Sequence, residues 1–153
     1  MVTEIRRAIV FERWDDAVPL AEYVATLNGI EPYVPGQFFK RELPCLLTVL
    51  EKVREPLEQI IVDGFVLLGG KPGLGMHLWK SLNGQVAVIG VAKSHFRFVS
   101  PIEVIRGSSK RPLYLSAVGI DPLVAARIVS GIADVQRSMI GSQRRNPDAT
   151  PSE

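Results

Sequence analysis

The sequence predicts an α/β domain: a mixed sheet flanked by helices. Three observations predict it. Strand-like segments pair around turn residues near the N-terminus, two later segments are almost wholly apolar over strand length, and helical spacing alternates with them. The bulk composition agrees. The chain has 153 residues, 46% of them hydrophobic and 22% charged. A domain of that size buries about 68–70% of the surface its unfolded chain exposes. The apolar content and a net charge of +2 exclude disorder throughout and a strongly basic coat protein. Cys45 is the single cysteine, so no intrachain disulfide forms, which fits a cytoplasmic setting. The longest apolar run, Val86–Ala92, has only strand length, far below the ~18 residues of a membrane span. The N-terminus does not read as a signal peptide, so no membrane partner is expected. One domain is expected over residues 1–140, with a flexible polar tail over 141–153.

Arg7–Glu12 reads as a strand through Ala8, Ile9, Val10 and Phe11, and Asp15–Asp16 as the turn after it. Glu22–Leu27 suits a hairpin partner ended by Asn28-Gly29. Glu31–Gly36 holds Pro32 and Pro35 and is read as a stiff loop with Tyr33 at its tip. Leu43–Val53 is read as a helix with Leu43, Leu47 and Leu50 on one face. Pro44 then belongs in the first turn and Glu42 near the helix N-terminus. Gln59–Val66 is a buried strand, and Gly69–Gly75 a glycine-rich loop. Leu74–Leu82 forms a short helix closed by Asn83-Gly84. Val86–Val91 is a second apolar strand, and a third lies in Arg111–Val118. Asp121-Pro122 starts a last helix, an N-cap acid before a proline, with Val124, Ile128, Ile132, Val135 and Met139 at helical spacing.

The candidate chemistry starts with Asp63, a carboxylate at the end of an apolar strand. Strand ends are where α/β sheets hold ligands, and also where plain turn aspartates sit. Glu42 reads either as a ligand or as a charge compensating the helix dipole. Two such acids brought to one sheet edge would offer Mg²⁺ the oxygen ligands it prefers. Lys93 follows the second apolar strand and would either face a phosphate or water. His77 and His95 have no ligand spacing with Cys45, which excludes a zinc motif. The loop Gly69–Gly75 fits neither the Walker pattern nor G-x-G-x-x-G, which leaves a small-molecule α/β enzyme the weakest reading.

Taken in order, these segments resemble the endonuclease V family. PYVPG followed by FFKRELPCLL looks like its proline-flanked tyrosine wedge and acidic element. IIVDG, GLGMHL, VIGVAKS and RPLYLSAVGID look like its later motifs, and the resemblance runs from Arg7 to Ser138. It implies a ribonuclease H-like fold and an endonuclease that cuts DNA or RNA beside deaminated adenine (inosine), using Mg²⁺ or Mn²⁺. Residue by residue, it implies Glu42 and Asp63 as converging metal ligands and Lys93 as the lysine at the phosphate. Tyr33 would be the wedge beside Pro35, and Gly73, Gly75 and His77 would line a pocket for the flipped base. The family's first strand carries a D-V-x-Y element that has no counterpart before Arg7, where Glu4 is a poor substitute and Asp15 and Asp16 lie on a turn. Its H-P-R loop is replaced by the shorter Gly70-Lys71-Pro72, and Asp148 is an unconvincing match for its C-terminal element. The chain as written is therefore expected to bind inosine-containing nucleic acid better than it cuts it.

Overall fold

The computed structural model describes residues 3–30, 32, 34–35, 37–93, 102–105 and 112–132. Its contacts gather into two compact units, one reaching to Glu55 and the other Pro56–Gly131.

The first unit is a hairpin covered by a helix. Strand β1 (Thr3–Val10) pairs antiparallel with β2 (Ala21–Asn28) from Thr3↔Asn28 to Val10↔Ala21. Between them Arg13–Asp16 form a turn in which Asp16 Oδ2 accepts the Arg13 amide at 3.0 Å. Helix α1 (Phe38–Leu50) packs on both strands and buries Cys45 and Val49, one turn apart. Near its far end Tyr23 donates its hydroxyl to Glu55 at 2.6 Å and Lys52 Nζ donates to the Val24 carbonyl at 2.9 Å.

Several boundaries differ from the sequence reading. Strand β1 begins at Thr3, not Arg7, because Glu4 and Arg6 find ionic partners on α1 and can face inward. Helix α1 begins at Phe38, so Pro44 lies inside it and Glu42 sits four residues past its start. Pro44 deprives only the Lys40 carbonyl of a helical donor, on an exposed residue that water can serve. The helix also stops earlier than expected, at Leu50.

The second unit holds the mixed sheet, in strand order β3–β6–β8–β7. Strand β3 (Gln59–Asp63), at the edge of the sheet, runs parallel to β6 (Ala87–Ala92), which is buried along most of its length. Strand β8 (Leu113–Val118) is antiparallel to β6 and to β7 (Ile102–Val104). Val88, Ile89 and Leu115 are at most 1% exposed and form the centre of the core. The segment after β3 makes a small hairpin, β4 (Leu67–Leu68) with β5 (Lys71–Pro72), rather than one continuous strand to Val66. Helix α2 (Leu74–Ser81) packs on β6 and β8, and α3 (Pro122–Gly131) on β7 and β8. Asp121 Oδ1 accepts the Leu123 amide at 2.7 Å, which is the expected N-cap. Strand β7 was not legible in the sequence, being three residues long. The continuation of the last helix to Met139 and the tail after it lie outside the described residues.

Candidate functional site

In the second unit Asp63 ends β3 in register with Val91 of β6. Lys93 is exposed two residues further on, about 7 Å along the chain at strand rise. Both therefore lie at the C-terminal end of the one parallel pair among the described strands, the end where such sheets hold ligands. Asp63 is half-buried there.

The glycine segment rises from the same end and is tightly anchored. The Gly64 amide donates to the Val91 carbonyl at 3.0 Å. The Val66 amide donates to Ser116 Oγ at 2.9 Å, and Val66 is 2% exposed. Gly73 and Gly75 are buried. A Cβ at Gly73 would lie 2.4 Å from the Phe65 carbonyl oxygen, and one at Gly75 2.8 Å from the Val66 side chain. Their amides donate to the Val66 and Phe65 carbonyls at 2.8 and 3.1 Å. A base resting on these glycines would meet packed backbone whose donors are already engaged. His77 lies in the first half of α2, and burial, with Lys80 nearby, lowers its pKa from the ordinary histidine range. The neutral imidazole that this favours carries one donor and one acceptor nitrogen.

In the first unit Glu42 sits on α1 with its side chain 13% exposed. Its Oε2 accepts hydrogen bonds from Arg6 Nε at 3.2 Å and Arg6 Nη2 at 2.7 Å. Arg6 also pairs with Glu4, which is 3% exposed, and Glu4 in turn pairs with Arg41. These four side chains form an ionic chain, Arg41–Glu4–Arg6–Glu42, of two carboxylates and two guanidiniums. Next to it Cys45 is buried, burial pushes its thiol pKa up, and its Sγ donates to the Arg41 carbonyl at 3.3 Å. Pro32 and Pro35 are exposed, while Tyr33 and His95 lie outside the described residues.

Sequence reasoning singled out Glu42, weighed Glu4 only as a poor substitute ligand, and missed Arg6 and Arg41. The signal was present. Glu4, Arg6, Ala8 and Val10 alternate at strand period, so a strand begun at Thr3 puts both charges on the face that buries Val10. Ser116, the acceptor that pins Val66, carries no comparable sequence signal.

The comparisons with known proteins bear on family and fold. The Endonuclease V family model matches residues 2–132. The endonuclease V of Streptomyces coelicolor is 34% identical over 121 residues, covering 78% of this chain and 51% of that protein. The Alkalilimnicola ehrlichii endonuclease V is 34% identical over 91 residues, covering 59% of this chain and 39% of that protein. The chain thus spans about half or less of the length of these curated relatives. Among solved structures, human endonuclease V superposes with TM-score 0.66 at 22% identity, covering 82% of this chain and 71% of that one. The Bacillus subtilis protein gives 0.64 at 20% identity, covering 86% and 71%. At these identities the structures speak for the fold alone. Among the described residues no helix is long and apolar enough to cross a membrane.

Proposed function

The chain belongs to the endonuclease V family of nucleases, and from that membership we propose that it recognises inosine in DNA or RNA and hydrolyses a phosphodiester beside it. The observation that carries this reading is the meeting of Asp63, Lys93 and the glycine segment at one end of the β3–β6 pair. Lys93 supplies a cation for a phosphate, the packed Gly73–Gly75 backbone a flat wall for a base, and neutral His77 an uncharged hydrogen-bonding edge. Tyr33, between Pro32 and Pro35, is the aromatic that fills the gap left by the flipped base. Flipping costs roughly a few kcal/mol and is cheapest for a poorly paired base. A cytoplasmic location goes with the same reading.

Mg²⁺, or Mn²⁺ in its place, is the cofactor such hydrolysis calls for, and when bound it would activate water and offset phosphate charge. The residues present do not fit it well. Glu42 is engaged by Arg6, and among the described residues no three His, Cys, Asp or Glu side chains gather into a metal-holding group. This favours a second reading, in which the chain binds inosine-containing nucleic acid without efficient cleavage.

One experiment addresses both. Matched DNA and RNA oligonucleotides, with inosine or adenine at one position, are offered to the full chain with Mg²⁺, and binding and nicking are read on gels. The expected result is preferential binding of inosine strands. Tyr33→Ala should weaken it by about 1–3 kcal/mol, the scale of one stacking contact. Lys93→Ala should cut whatever nicking is present by about 10²–10³-fold, as for loss of one group stabilising transition-state charge. Equal binding to inosine and adenine would end the proposal, and tight binding with negligible nicking would select the second reading.

A further inference from the structure

We propose that Arg6 is the resident counter-ion of Glu42 in this chain, standing where a divalent cation would stand, so that Glu42 is a partner of Arg6 and not a metal ligand. The geometry is a fork on one atom: Nε and Nη2 of Arg6 both donate to Glu42 Oε2. Charge-assisted pairs of this kind are roughly twice as strong as neutral hydrogen bonds. Both partners are mostly withdrawn from water, with side-chain exposures of 15% and 13%, so screening by solvent is small.

The charge balance points the same way. Glu4 and Glu42 supply two negative charges, and Arg6 and Arg41 two positive ones. The group is neutral as it stands. A divalent ion at Glu42 would add two positive charges beside two guanidiniums that cannot lose their protons. Nor can Arg6 simply swing aside. It comes from a paired strand whose register fixes it opposite Ala25, and its Nη2 also serves Glu4, which is almost wholly buried. Displacing it would leave Glu42 without its cation, and Glu4 with Arg41 alone, in a mostly buried site.

The inference is read on cation binding by the protein alone and so does not depend on the nuclease reading. Binding of Mn²⁺ to the full chain is followed by the loss of the free-ion paramagnetic resonance signal. Wild type and Glu42→Gln should agree within threefold, because Glu42 is not in use as a ligand. Arg6→Met should bind about tenfold more tightly, and Arg6→Met/Glu42→Gln should return to the wild-type level. Arg6→Lys, which keeps the charge, should not show the gain. Glu42→Gln binding more than threefold weaker than wild type overturns the proposal. So does a folded Arg6→Met chain that gains less than threefold. Should Arg6→Met fail to fold, the Glu42→Gln comparison decides alone.

Discussion

Both units lay a helix on a sheet, yet they are held by different forces. In the first, the inner face of β1 carries Glu4 and Arg6 beside Ala8 and Val10, and α1 answers with Arg41 and Glu42. In the second, β6 is apolar along its length and its residues Val88 and Ile89 are fully buried. Apolar packing is non-directional and tolerates small misfits. A buried ionic group tolerates none, since each member is costly without its partners. The charged group also specifies register. A slip of one residue in β1 would move Glu4 and Arg6 to the outer face and strand Arg41 and Glu42. The first unit, with a smaller apolar core, thus relies on charge for a definition that the second gets from shape.

This contrast can be broken most forcefully at Glu4, the carboxylate shared by both arginines. Glu4→Ala should cost about 3–5 kcal/mol in urea unfolding, because it leaves the Arg41 guanidinium without a carboxylate and Arg6 with Glu42 alone. Replacing all four members with apolar residues of similar volume should instead be neutral or stabilising by about 1–4 kcal/mol. A Glu4→Ala loss below about 1 kcal/mol would mean that water reaches the group and the contrast fails. A smaller effect is expected in the second unit at Gly90, where a Cβ would fall 2.3 Å from the Gly64 carbonyl oxygen. Gly90→Ala should lower stability by about 1–3 kcal/mol, as overpacking does. An unchanged melting temperature would show that the chain after β3 is free to lift off the sheet.

The smallest effect sharpens the comparison at the other end of the first unit. The hydrogen bond to Glu55, followed by burial, raises the Tyr23 pKa above the ordinary phenol value of 10.0. A raised folded pKa means stability fully present below pH 10 and lost as pH climbs through the folded value. Melting temperature should therefore fall above pH 10 in the wild type, and less steeply in Tyr23→Phe. Parallel curves for the two proteins would remove Tyr23 from the account.

What was legible in the sequence followed from periodicity. The apolar runs around Ile60–Val62 and Val86–Val91 marked strands, the second of them buried and the first partly so, and Asp121-Pro122 marked a helix start. What was illegible depended on partners distant in the chain. Glu4 and Arg6 show no sign of burial until Arg41 and Glu42 are brought against them, so β1 was begun at Arg7, four residues too late. Pro44 looked like a helix start because nothing local shows that Phe38 and Phe39 carry the helix further back. At the candidate site the sequence marked Asp63, Lys93 and the glycines, but the anchoring of that segment by Ser116 and Val91 is a product of the sheet.

The hairpin β4–β5 ends in a two-residue tip, Gly69-Gly70, both with positive φ (60° and 82°), and a Cβ at Gly70 would meet nothing within 4 Å. Its base is fastened to the sheet while Gly70 at its tip has open space around it, so chain length is adjustable here. Widening a loop from two residues to four costs only about 0.6 kcal/mol in closure entropy. An inserted affinity tag, a fluorophore-bearing cysteine or a longer loop transplanted from a relative could be grafted at this tip while the strands beneath keep their pairing.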